Sequence, residues 1–401
     1  MKESIMTLES CFIILLSAIN AGLGANAPAN PYAHWENGPP RGVDFFPIAV
    51  WLQNPVNAGK YKQAGINTYV GLWRGPTEEQ LAELKKAAMK VICHQNKTAL
   101  NHADDPTIIG WMHGDEPDNA QSLGQGKGYG PPILPQKIIE DYNEIRQADP
   151  TRPVLLNLGQ GVAWDGWYGR GVRTNHPEDY PEYIKGCDIA SFDIYPAVHD
   201  KPEIAGNLWF VAKGVERMVE WSSGKQALSS SNGKVVWNCI ECTRIGNPNT
   251  KATPHQVKCE VWMSIIHGSM GLIYFVHEWQ PRFNESALLS DPEMLSAVTA
   301  INRQITELAP VLNTPTIENA TSVSSSNEAV PIAIMAKNHD GAMYLFAVAM
   351  RGDKTMATFT LQHAESTKTV EVIGENRTIK LNNGVFKDDF QACDVHLYRA
   401  K

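Results

Sequence analysis

The chain has 401 residues, of which 43% are hydrophobic and 19% charged, and a formal charge of -8. At roughly 100–200 residues per domain this is two domains, or one large domain with an appendage, and the balance excludes a disordered or coiled-coil chain. A mildly acidic chain without a basic block is a poor candidate for binding nucleic acid or anionic lipid.

Residues 11–19 (CFIILLSAI) form an apolar run preceded by Lys2 and followed by the small residues AGLGANA. This pattern predicts a signal peptide over residues 1–27 and export to the periplasm or beyond. The run is too short to span a bilayer, which takes about 20 residues, and no later stretch is long and apolar enough, so no membrane insertion is expected. The seven cysteines are scattered, unlike a small disulfide scaffold. Cys239 and Cys242 form a C-x-x-C without a second pair, and buried free thiols explain them better than zinc.

From about residue 45, apolar β-branched runs alternate with helix-like segments. The strand candidates are Phe45–Trp51, Ile66–Trp73, Lys90–His94, Thr107–Gly114, Pro153–Gly159, Cys187–Tyr195, Lys234–Glu241 and Gly271–Trp279. Helices are expected between them. One follows Thr77 as N-cap, with an apolar face through Leu81, Leu84 and Ala88; another follows Thr253, with Pro254 at its first position. The last runs from Pro292 to about Leu308. Eight such units over ~265 residues match the (β/α)8 TIM barrel of the α/β class, which takes about 250. A doubly wound open sheet is the other arrangement, but no phosphate-binding glycine turn follows the first strand. After about Pro310 the helical period disappears. Short alternating runs separated by HDG, GDK and NNG predict a small all-β sandwich, with ENATSVSSSNEA as an exposed stretch ahead of its central strands. The expected domains are therefore a barrel over 28–310 and a sandwich over 311–401.

In such a barrel the reactive residues stand at the C-terminal ends of the strands. Trp73 ends the second strand and His94 the third; Asp115 and Glu116 follow the fourth, and the fifth carries Asn157. The sixth ends in Asp193 and Tyr195, which share a face, the seventh in Glu241, and the eighth in His277, Glu278 and Trp279. Alternation puts Glu241 on the face of Trp237 and Cys239. A charge above the barrel mouth is costly unless used or paired. A pair of carboxyl groups, one protonating the leaving oxygen and one attacking the anomeric carbon, is what a retaining glycosidase needs. The loop after the fifth strand holds Trp164, Trp167 and Tyr168, flat faces on which sugar rings stack. Each residue also has a plainer reading: Glu116 as a cap, Glu241 in an ion pair with Arg244, Tyr195 as a rim tyrosine, and the loop aromatics as mutual packing.

The motifs GWMHGDEPD, SFDIYP, VVWNCIE and YFVHEW, in this order and on the fourth, sixth, seventh and eighth strands, resemble the clan A superfamily of retaining TIM-barrel glycoside hydrolases. The resemblance covers roughly residues 45–310. It implies Glu116 as acid/base, Glu241 as nucleophile, Tyr195 as the group orienting Glu241, and Trp279 as the floor of the sugar site. The family carries Asn where this chain has Asp115, which can accept a hydrogen bond from a sugar hydroxyl but not donate one.

The expectation is a hydrolase of β-linked oligo- or polysaccharides, acting by double displacement without metal or cofactor. A glycan-binding protein on an inherited barrel is the alternative, favoured by the change at Asp115. A metal-dependent hydrolase on the same fold is a third reading, for which the loop cluster His113, Asp115 and Asp118 is thin support.

Overall fold

The computed structural model describes residues 30–223, 234–362 and 368–401. The apolar run at 11–19 and the export signal expected over 1–27 lie outside them. Eight parallel strands form the first body: β1 (Ile48–Trp51), β2 (Thr68–Val70), β3 (Lys90–Cys93), β4 (Ile108–Met112), β5 (Val154–Leu158), β6 (Ile189–Phe192), β7 (Val235–Val236 and Asn238–Glu241) and β8 (Leu272–Phe275). The seventh is interrupted at Trp237. Its first half pairs with β6 and its second with β8, and β8 pairs with β1, so the ladder closes into a barrel.

The interior holds Ala49, Val70, Ile92, Ile109, Leu155, Ile189, Val235, Trp237, Cys239 and Ile273. The N-terminal segment stoppers its lower end. Tyr32 and Trp35 are buried against this cluster; the Tyr32 hydroxyl donates to Met270 O (2.9 Å) and accepts from Trp237 Nε1 (2.9 Å).

The surrounding helices are α1 (Ala58–Gln63), α2 (Glu78–Lys86), α3 (Lys97–Asn101), α4 (Pro135–Ala148), α5 (Tyr180–Tyr183), α6 (Trp209–Ser223), α7 (Pro254–Ile266) and α8 (Pro292–Leu312). Thr77 and Thr253 close capping boxes with Gln80 and Gln256, so the first amides of α2 and α7 are satisfied. α8 runs on past Pro310. Its last carbonyls meet a buried cation, because Lys337 Nζ donates to Leu312 O (3.0 Å) and Thr314 O (2.5 Å). Burial lowers this ammonium to about 8.

The second body is a two-sheet β domain. β9 (Thr321–Ser325), β12 (Thr355–Leu361) and β15 (Val385–Phe390) form one antiparallel sheet. The other has the order β10 (Ile332–His339), β11 (Ala342–Ala349), β16 (Val395–Ala400), β13 (Thr369–Val372), β14 (Arg377–Lys380). Two strands differ from the sequence reading. Thr321–Ser325, expected as an exposed stretch, pairs with β12 as an edge strand. Val385–Phe390 is a strand of its own after the turn at Gly384. Both are rich in polar residues and show weak alternation, which hides an edge strand from a hydrophobic pattern.

The two bodies share apolar surface. Trp262 of α7 stacks on Phe346 of β11 (centroids 5.4 Å apart, planes at 12°), and Met335, Val348, Val395 and Leu397 join the barrel's outer core. Truncation of Phe346 to alanine should cost about 3–5 kcal/mol, the range for large aromatic-to-alanine changes in a core. Urea unfolding followed by tryptophan fluorescence would read this as a lower midpoint. An unchanged midpoint would mean that the shared surface contributes little to stability.

Candidate active site

β4 delivers the first site residues. Glu116 follows it with φ of +43°, a left-handed backbone that a glutamate adopts at a cost. Its amide is fixed by Asn157 O at 3.1 Å. The glutamate carboxyl lies against Gly159, where an added Cβ would sit 2.9 Å from Glu116 Oε1 and 2.8 Å from Asn119 Nδ2. Only glycine leaves that space. Asp118 ties the same two loops together below, with Oδ1 accepting from Gly159 N and Oδ2 from the Tyr180 hydroxyl, both at 2.9 Å.

Glu116 does not meet Glu241. It lies beside Asp193, which leaves the end of β6, and the two carboxyls interact. Burial, then the charges of Asp193 and Asp115, raise Glu116 well above the usual carboxylate range, so it carries a proton. Burial and Asp115 also raise Asp193, to about 7. The Tyr195 hydroxyl donates to Asp193 Oδ2 at 3.0 Å, while Oδ1 is buried without another donor.

Asp115 stands beside the pair and reaches solvent at the mouth. The protein around it raises its carboxyl to about 6, against the lowering effect of Asn157 Nδ2, which donates to Asp115 Oδ1 at 2.9 Å. Asn157 is oriented in turn, because its Oδ1 accepts from Ser191 Oγ at 2.8 Å. At neutral pH the group holds a protonated Glu116 next to an ionised Asp115.

Aromatic rings flank these acids. Trp167 Nε1 donates to Asn119 Oδ1 (2.8 Å), which fixes the loop after β5 to the loop after β4. Trp164 packs beside Trp167 with centroids 5.8 Å apart. Across the mouth, Tyr195 contacts Phe275 (5.3 Å), and Phe275 stacks on Trp279 (5.6 Å), which is 46% exposed. Trp73, 64% exposed, and His94 stand on the rim after β2 and β3. His277 is buried beneath Trp279, and burial lowers it to about 4, so it is neutral.

Glu241 is the residue whose expected place the structure corrects. It is 0% exposed, so no sugar ring can reach it. Its carboxylate accepts from Ala197 N (2.5 Å) and Val198 N (3.0 Å) of the loop after β6. Glu260 of α7, a second buried carboxyl, lies beside it and interacts with it. Burial raises Glu241 to about 7 and Glu260 further, so Glu260 holds the proton between them. Tyr195, expected to orient Glu241, orients Asp193. Alternation along β7 holds for Trp237 and Cys239, which face the interior. It could not show two main-chain amides and a helix-borne carboxyl waiting at the strand's end.

No family model and no curated protein sequence matches the chain. Solved structures are similar in fold. A GH42 β-galactosidase from G. stearothermophilus has a TM-score of 0.57 at 10% identity, over 89% of this chain and 98% of that one. An α-amylase from Geobacillus thermoleovorans, complexed with acarbose, has 0.50 at 10% over 92% and 99%. AmyP in complex with maltose has 0.51 at 9% over 89% and 96%. The chain thus shares with these proteins the fold of a TIM barrel followed by a C-terminal β domain.

The Glu241–Glu260 pair has a consequence for stability. Unfolded glutamates release their protons above about pH 4.3, whereas the folded pair retains one. The folded state therefore binds more protons between about pH 5 and 8, and the pair's contribution to stability falls as pH rises through that window. Glu260→Gln, which keeps a donor facing Glu241, should flatten this loss and be more stable relative to wild type at pH 8 than at pH 5. Urea midpoints of both proteins at the two pH values test it. Parallel shifts would show that the pair holds no shared proton.

Proposed function

We propose that the chain is a glycoside hydrolase acting on β-linked oligo- or polysaccharides. The observation that carries this reading is the protonated Glu116, held against Asp193 and beside an ionised Asp115, at an aromatic-walled barrel mouth. A glycosidic oxygen leaves only if it is protonated, and a carboxylic acid kept neutral at pH 7 by a like-charged neighbour is suited to that task. Burial, and after it the charge of Asp193, then set the proton affinity of Glu116.

The second carboxylate is Asp115, ionised and open to solvent, placed to attack the anomeric carbon in a double displacement. Asn157 fixes its rotamer. After the first step Glu116, now a carboxylate, takes a proton from the incoming water and is reset. Trp279 and the Trp164–Trp167 cluster offer apolar faces to the C–H faces of sugar rings, and Trp73 and His94 extend the rim. The likeness in fold to crystallised amylases and a β-galactosidase supports carbohydrate as the ligand class. Export of the chain, on the apolar N-terminal run, is part of the same proposal.

Screening aryl β-glycosides and β-linked polysaccharides, with product anomers read by proton NMR, tests the reading. Glu116→Gln should lower kcat/KM by about 10³-fold on substrates with poor leaving groups, within the range for general acid catalysis, and by less on activated aryl glycosides. Asp193→Asn removes the charge that raises Glu116, so the alkaline limb of kcat/KM should move to lower pH. Asp115→Ala should be inactive and regain turnover with azide as a glycosyl azide. Oligosaccharide binding without turnover by the wild type would instead favour the glycan-binding alternative, and an active Glu116→Gln would remove the acid from its role.

A further inference from the structure

The first turns of α7 face the turn between β15 and β16. His255 Nε2 lies 2.7 Å from Ala392 O and 4.0 Å from Asp394 Oδ1. One helical turn on, along the same face, stands Cys259. Between Ala392 and Asp394 stands Cys393, whose amide donates to Arg351 O at 3.1 Å and so fixes the turn. Cys393 packs against the core cluster that holds Cys259, and the two side chains interact across the boundary between barrel and sandwich. Both thiols are free; Cys259 is buried and Cys393 is half-buried.

We propose that Cys259 and Cys393 form a disulfide under oxidising conditions, a covalent latch between α7 of the barrel and the C-terminal sandwich. The two cysteines differ in a way that orders the reaction. The interaction with Cys259 draws the Cys393 thiol below its usual range, and burial pushes Cys259 up. Cys393, the more accessible, is the attacking thiolate. With a low-molecular-weight disulfide such as oxidised glutathione, its sulfur bonds one glutathione sulfur and the other departs. Cys259 then gives up its proton, attacks the Cys393 sulfur and expels the second glutathione. The protein loses two protons and two electrons, and the oxidant takes them up to become two thiols.

The latch closes a loop from 259 to 393, long enough for a large reduction in the freedom of the unfolded chain. It also anchors the helix that carries Glu260, the next residue, and so the support beneath the loop after β6. In an oxidising compartment such a bond persists.

The full-length protein, incubated with oxidised glutathione or with dithiothreitol, is digested without reduction and analysed by mass spectrometry. A peptide pair joined through Cys259 and Cys393 is expected, with two fewer titratable thiols in denaturant and a thermal midpoint higher by about 5 °C. Cys393→Ser, at a half-buried turn position, should show neither change and keep the midpoint of the reduced wild type. Glutathione retained on Cys393 alone, pairing among other cysteines, or an equal rise in midpoint in Cys393→Ser would overturn the proposal. None of these measurements needs enzymatic turnover, so they stand apart from the hydrolase reading.

Discussion

Two carboxyl groups that cannot both be charged set the arrangement of this site. Glu116 and Asp193 come from strands separated by β5, and the closed barrel forces their ends over one mouth. Neighbouring carboxyls in a solvent-poor setting retain one proton between them. The surrounding residues are arranged about that proton. Tyr195 donates to the Asp193 side, Gly159 leaves room for the Glu116 side, and Asp118 binds the β4 and β5 loops so that neither carboxyl swings away. The left-handed backbone at Glu116 fits the same account. Strain there persists because the neighbouring loops fix the residue from several sides.

The same device occurs a second time, out of sight of the cleft. Glu241 and Glu260 share a proton beneath the loop that follows β6, and the two amides held by Glu241 are those of Ala197 and Val198. These lie just beyond Tyr195 and Asp193. Burying an ion without partners costs several kcal/mol, and here two main-chain donors and a neutral carboxyl offset it. The lower pair positions the loop that presents the upper one. A charge at the end of an apolar strand can therefore be used in either of two ways, in the cleft or under it.

Much of this architecture was legible in the sequence because it rests on periodicity. All eight strands and the caps at Thr77 and Thr253 follow from apolar runs and from local hydrogen-bond chemistry. The placement of Asp115, Glu116 and Asn157 follows from the rule that barrel strands end at the mouth. What was not legible depends on partners distant in sequence. Asp193 read only as sharing a face with Tyr195, which donates to it in the structure. Glu241 read as a residue of the mouth, since nothing local announces Ala197 N, Val198 N and Glu260. β9 and β15 were hidden because polar edge strands alternate weakly. Motif order locates a site more securely than it assigns roles within it, because roles depend on which lone pairs find donors.

α7 joins these levels. Its capping box starts the helix, Cys259 and Trp262 face the sandwich, and Glu260 reaches beneath the β6 loop. It is almost wholly buried from Val257 to Ile266, as a helix covered on one side by the barrel and on the other by a second domain must be. A displacement of the sandwich would thus be felt at Glu260, then at Glu241, and then at the loop that carries Asp193. Each step is a contact or a hydrogen bond between packed groups.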